Sequence, residues 1–137
     1  MSTSPERPLQ PTQGQRVAVV GPCGAGKSRL VAALRERGVS AREVAQEHSY
    51  APAMWQQLTR PDRLIFLDVS REVAGERLGR EMPLWLWEAM MTRLAHARAH
   101  ADLVVQTDGL SPERVLDVVL ECLKRTTDHG PRMRDED

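Results

Sequence analysis

Eight consecutive residues, Gly21-Pro22-Cys23-Gly24-Ala25-Gly26-Lys27-Ser28, fit the pattern G-x-x-x-x-G-K-[ST] at every specified position. These residue types at this spacing suit one kind of chemistry, the holding of a polyphosphate. The glycines let the backbone turn tightly and aim successive N–H groups inward. Those donors, with the positive end of a following helix, cradle phosphate oxygens. Lys27 is expected to reach the outer phosphates and the Ser28 hydroxyl to ligate Mg²⁺. With ordinary residue frequencies the pattern arises by chance about half a per cent of the time in a chain of this length. The bland alternative is a Gly-rich turn with a coincidental Lys-Ser.

The elements around this segment give it the setting it needs. Residues 15–20, Gln-Arg-Val-Ala-Val-Val, form a short β-branched run of the kind found in a buried parallel strand. Residues 28–37 read as a helix with Leu30, Val31 and Leu34 on one face, stopped by Gly38. Further on, residues 39–46 read as a weaker, more polar strand, 52–59 as a short helix and 63–69 as a strongly apolar strand. Ser70 looks like an N-cap for a helix over 71–81. Pro83 suits a first helical position, opening a helix that runs from Leu84 to about Ala101 with Trp87, Met91, Leu94 and Ala101 on its apolar stripe. Residues 103–106 form the last strand. Ser111-Pro112-Glu113 starts a closing helix whose buried face is Val115, Leu116, Val119, Cys122 and Leu123.

Alternating strands and helices predict an α/β domain with a parallel sheet of about four strands and helices on both faces, in three layers. Ligands of such sheets bind beyond the carboxyl ends of the strands. That rule collects the polar candidates onto one rim: the 21–28 loop, residues 46–50, residues 68–70 and residues 106–109. If the sheet lacks a strand, the one ending near Gln46 can take the place beside the first.

Composition narrows the classes. The chain has 137 residues, 41% hydrophobic, enough for one modest core, so the organisation expected is a domain over 15–126 between a flexible arm, 1–14, and a flexible tail, 127–137. Acidic and basic residues cancel to a net charge of zero, which argues against nucleic acid or an anionic membrane as partner. Lys27 and Lys124 are the only lysines, so the lysine of the loop does not come from a lysine-rich background. Two cysteines make neither a disulfide framework nor a recognisable metal-ligand spacing. The opening residues lack the apolar core of a secretion signal and no apolar run approaches membrane-spanning length, which makes the cytoplasm the expected compartment.

With these residues in hand, the chain resembles the P-loop NTPase fold over roughly residues 16–125, and within it the small-molecule and nucleotide kinases such as thymidylate, cytidylate and shikimate kinases. Residues 61–70 with the following Glu72–Leu78 segment are similar to the strand and arginine-bearing helix before the lid of those kinases. Residues 101–113 are similar to their last strand and adenine-contacting loop. The resemblance implies ATP and Mg²⁺ as cofactors. Gly21, Pro22, Cys23, Gly24, Ala25, Gly26, Lys27, Ser28 and Arg29 would hold the phosphates, and Thr107, Asp108 and Gly109 the base. It implies catalytic roles for Lys27, Glu47, Arg77 and Arg80, with Arg71, Arg93 and Arg98 as alternatives to the last two. Glu47 is expected as a carboxylate near Mg²⁺ or as the base on an acceptor hydroxyl, with Glu43 as its alternative; either is otherwise an edge-strand carboxylate. Ser28 and Asp68 are the expected metal residues, Asp68 alternatively capping the next helix or bonding a nearby loop N–H.

The acceptor is an unidentified small molecule, in a pocket that His48, Tyr50, Trp55, Trp85 and Trp87 could line unless the aromatics are core. Partly exposed Trp85 and Met90 suggest a dimer. Cys23 sits among inward N–H dipoles that favour its thiolate, so its modification is expected to block nucleotide binding. His96 and His100 share a helix face without an acidic partner motif. Such kinases usually carry five strands and a longer lid. Two functions therefore stay open: transfer of a terminal phosphoryl group, or a non-catalytic or slowly hydrolysing nucleotide-binding regulatory module.

Overall fold

A computed structural model describes residues 15–126. The arm and tail expected at 1–14 and 127–137 lie outside the described residues. The fold is α/β, with a four-stranded, all-parallel sheet. Its strands are β1 (Arg16–Val20), β2 (Ser40–Glu43), β3 (Arg63–Asp68) and β4 (Leu103–Gln106). Their order across the sheet is β2-β1-β3-β4. The strand ending near Gln46 thus takes the place beside the first, in register from Arg16 opposite Ser40 to Val19 opposite Glu43. It is shorter than the 39–46 run read from sequence. After Val44 the chain leaves the sheet, and Gln46–His48 form a single 3₁₀ turn.

Among the described residues five α-helices connect and cover the strands: α1 (Lys27–Glu36), α2 (Met54–Thr59), α3 (Arg71–Leu78), α4 (Leu84–His100) and α5 (Pro112–Thr126). Side chains alternate across the central strands, as the two-residue period of a strand requires. Val17, Val19, Ile65 and Leu67 face one core with Leu30, Val31 and Leu34 of α1 and Val115, Leu116, Val119 and Leu123 of α5. Ala18, Val20, Leu64 and Phe66 face the other with Trp55 of α2 and Leu94 and Ala97 of α4. Both faces of the sheet are therefore covered, which is why β1 and β3 are near-continuous apolar runs. Trp55 is fully buried and belongs to this second core, so it does not line an acceptor pocket. Met90, expected to be partly exposed, is 1% exposed, whereas Trp85 is 71% exposed. Among the described residues no helix is long and apolar enough to cross a membrane.

Helix boundaries follow local chemistry. Ser70 caps α3 by accepting from the Val73 N–H at 3.2 Å, and the helix stops at Gly79 in the left-handed region. Pro83 stands just before α4 with an extended ψ of 142°, a position outside the first turn rather than within it. Ser111 accepts from the Arg114 N–H at 3.1 Å at the start of α5.

The strand order places a topological switch beside β1, because the chain goes from β1 to one neighbour and returns past it to the other. The loops at this end are tied to one another. Thr107 donates its N–H and its hydroxyl to the Asp68 carbonyl, both at 2.9 Å. Asp108 accepts from the Ser70 N–H at 2.9 Å, joining the β4–α5 loop to the start of α3. This hydrogen bond, with the Ser70 hydroxyl and then the Arg77 charge assisting, holds the Asp108 carboxyl below its ordinary pKa. Its stabilisation is therefore present above the ordinary carboxylate range and is lost as the pH falls through the lowered pKa. Asp108→Ala is expected to lower the melting temperature at pH 7 and to lower it less in strong acid. An equal difference at both pH values would show that the charge of Asp108 contributes nothing.

Candidate functional site

Strand β1 ends against the sheet with no room for a side chain. A Cβ on Gly21 would stand 2.3 Å from the Leu67 carbonyl oxygen, so only glycine lets the chain turn here beside β3. Ala25 donates its N–H to the Pro22 carbonyl at 3.2 Å, closing the turn. Gly26 then takes φ 97° as the residue before α1, with open space where its Cβ would lie. Among the described residues no side chain caps α1. The opening amides of that helix therefore point outward from its N-terminus, the arrangement that favours an anion.

Lys27 does not extend into solvent. Its ammonium donates to the Gly21 carbonyl at 2.8 Å, the Pro22 carbonyl at 3.2 Å and Glu47 Oε2 at 2.9 Å. Three acceptors use all three N–H donors of the ammonium. Both partners are buried, each side chain 5% exposed. Glu47 is therefore not an exposed edge carboxylate. It is delivered by a loop that its neighbours hold in shape. Gln46 donates to the Ala51 carbonyl at 2.8 Å and accepts from the Trp55 N–H at 2.8 Å. Arg93 reaches across from α4 to the Glu47 carbonyl at 3.3 Å and the Tyr50 hydroxyl at 3.0 Å.

The Ser28 hydroxyl donates to Glu43 Oε1 at 2.8 Å, at the end of β2. A hydroxyl and a carboxylate side by side form an oxygen donor pair suited to a hard cation such as Mg²⁺. Asp68, the carboxylate expected beside the metal, instead pairs with Arg98 at 3.1 Å and accepts from the Val69 N–H at 3.0 Å. It does not cap α3, whose cap is Ser70; it bonds the N–H of the adjacent loop residue, the other alternative.

On the other side of the loop Arg77 bridges two segments. Nη1 donates to the Gly24 carbonyl and to Thr107 Oγ1, both at 3.0 Å, and Nη2 to the Thr107 carbonyl at 2.8 Å. The side chain is a brace between the loop and the end of β4. Beneath it lies a cavity of about 450 Å³, within the range of small-molecule sites. Its walls include Gly24, Ala25, Gly26 and Arg29 of the loop and helix start, and Leu30, Leu78, Leu110 and Val115 around them. Thr107 also lines it, whereas Asp108 turns to Ser70. Of the four apolar wall residues, Leu110 lies in the loop expected to meet the base, Leu30 and Val115 were assigned to core faces by their helical spacing, and Leu78 had no expected wall role. Arg80 is exposed and borders a separate depression of about 380 Å³ along α3.

Cys23 behaves differently from the expectation of a stabilised thiolate. Burial first, and the Glu47 charge second, push its thiol pKa up, against the opposing pull of Lys27 and Arg80. Its sulfur lies 3.7 Å from His48 Nε2 and 3.9 Å from Glu47 Oε2. His96 and His100 stack on each other, and His96 Nδ1 accepts from the Trp55 indole N–H at 3.1 Å. Tyr50 is exposed under the Arg93 guanidinium.

The Lys27–Glu47 pair is the most consequential contact of the rim. Glu47→Gln is expected to cost about 3–5 kcal/mol in a denaturant titration, because it strands a buried ammonium. The double variant Lys27→Met/Glu47→Gln should recover most of that loss. A cost below about 1 kcal/mol, the range of exposed pairs, would show that the pair is hydrated in solution. Comparison with protein-family models finds none that matches this chain, and comparison with curated proteins finds no significant match.

Proposed function

We propose that the chain binds a nucleoside triphosphate with Mg²⁺, in a P-loop NTPase-like arrangement, and transfers the terminal phosphoryl group to a small acceptor. The observation that carries this reading is the join of the Gly21–Ser28 turn to the cavity of about 450 Å³. The turn offers amides and an ammonium to the phosphates. The cavity offers apolar walls at Leu30, Leu78, Leu110 and Val115 to the base, with Arg29 and Arg77 at its edge. A guanidinium can both stack on a base and bond a phosphate.

Residue roles follow from the contacts. The amides that open α1 bind phosphate oxygens. Lys27 neutralises charge on the outer phosphates, and Glu47, on the same ammonium, sets its position. Ser28 and Glu43 are the residues that would hold Mg²⁺, which supplies charge neutralisation when bound. This assigns to Glu43 the place expected for Asp68. Arg77 keeps the loop and the base-side cavity in register, so it acts as a positioning residue. Arg80 remains the arginine whose exposed head can approach a transferred group. An acceptor would enter from the His48–Tyr50 side.

One observation favours the second reading, a nucleotide-binding regulatory module. The guanidinium expected to act on the transferred group, Arg77, is committed to Gly24 and Thr107. Incubation of the chain with Mg-ATP and pooled nucleosides, nucleotides and small alcohols separates the two. Transfer supports the first reading, and binding without transfer supports the second.

Binding itself is tested by two variants. Lys27→Ala, checked for fold by circular dichroism, is expected to weaken Mg-ATP at least about tenfold, or about 1.4 kcal/mol. Leu110→Asp, at the cavity wall, is expected to weaken ATP and leave inorganic tripolyphosphate unchanged. If ATP binding is undetectable at millimolar concentration, or indifferent to both changes, the proposal fails.

A further inference from the structure

Three donor atoms of different chemistry converge at the mouth of the 21–28 loop, on the side away from the cavity. Cys23 Sγ, Glu47 Oε2 and His48 Nε2 form a triangle with sides of 3.7, 3.7 and 3.9 Å. The sequence separates Cys23 from the adjacent Glu47 and His48 by more than twenty residues. They meet because Cys23 follows β1 and Glu47-His48 follow β2, and these strands are neighbours.

Hydrogen bonding explains this triangle poorly. The imidazole–carboxylate side is too long for a hydrogen bond, and the two sulfur sides are at the long end for a weak thiol donor. A tetrahedral Zn²⁺ explains it better. Metal–sulfur distances of about 2.3 Å and metal–nitrogen or metal–oxygen distances of about 2.0–2.2 Å separate the ligand atoms by about 3.6 Å at the sulfur and about 3.4 Å between nitrogen and oxygen. The observed sides lie within a few tenths of an ångström of these values.

A second observation points the same way. Glu47 is 4% exposed, yet its Oε1 is buried with no hydrogen-bond partner among the described residues, while Oε2 serves Lys27. A buried carboxylate oxygen without a partner is costly, and an ion at the triangle satisfies it when the carboxylate binds through both oxygens, since Oε2 is the one that faces Cys23 and His48. The His48 side chain is 60% exposed, which gives an ion a route in. Thiolate, imidazole and carboxylate together select a borderline-soft transition metal over Mg²⁺. With the thiol deprotonated on binding, the two negative ligands balance a divalent ion. Lys27, Arg80 and Arg93 carry cations nearby, and their charges oppose occupancy.

We propose that Cys23, Glu47 and His48 form a three-residue binding site for a divalent transition metal of the Zn²⁺ type, with the fourth position open to solvent. The site does not rest on nucleotide binding and is tested with metal alone. Co²⁺ is titrated into the reduced, metal-free full chain carrying Cys122→Ala, which leaves Cys23 as its only thiol.

One equivalent of Co²⁺ is expected to produce a thiolate-to-cobalt charge-transfer band that one equivalent of Zn²⁺ removes and excess Mg²⁺ does not. The further change Cys23→Ser should abolish the band. His48→Ala, at an exposed side chain that does not threaten the fold, should weaken Co²⁺ at least tenfold. The absence of the band in folded protein, its survival in Cys23→Ser, or an affinity indifferent to His48→Ala would each overturn the assignment.

Discussion

A buried ammonium organises this end of the molecule. Lys27 opens a helix at the edge of the core, and its charge is taken out of water by the sheet and the loop around it. An ammonium in that position must be given acceptors or it costs several kcal/mol. Two are carbonyls of the turn itself, at Gly21 and Pro22. The third is Glu47, whose placement recruits more of the chain. Gln46 fixes the loop by bonding Ala51 and Trp55, and Arg93 clasps it from α4. The polar rim is therefore built outward from one lysine, and the second core, through Trp55, supports it from below.

The loop divides the rim into two chemically distinct sides. On one, Arg77 braces Gly24 against Thr107 above an apolar cavity. On the other, a thiol, a carboxylate and an imidazole crowd together at Cys23, Glu47 and His48. Lys27 and Glu47 stand between the two, so a ligand that draws Lys27 away from Glu47 also changes the charge felt by Cys23. This coupling needs no moving domain. It follows from one carboxylate serving an ammonium while lying beside a sulfur.

Much of this was legible in the residues. The glycine-rich turn, the strands that precede and follow it, the Ser70 cap and the order of strand and helix all depend on local chemistry or on short periodicity. The covered faces of the sheet were legible for the same reason, since an all-apolar run such as 64–67 has no wet side. Partner choice was not. Whether Glu43 or Glu47 meets Ser28 depends on where β2 leaves the sheet, and it leaves after Val44, earlier than its polar pattern suggested. Asp68 turned to Arg98 of a distant helix, and Arg77 to the Gly24 and Thr107 carbonyls and the Thr107 hydroxyl, because the fold brings groups far apart in the chain within their reach.

What the sequence alone determined is a tight glycine turn between a buried parallel strand and a helix, in an α/β chain with its polar residues gathered at one end of the strands. These follow from steric and hydrophobic rules that act within a few residues. Only the tertiary structure decided that Lys27 is held by Glu47, that Ser28 is held by Glu43, and that Cys23 faces His48. Each of these pairings joins residues fifteen or more positions apart. Pairing of that kind is set by which strands become neighbours and by what a buried charge requires, and no local pattern encodes it.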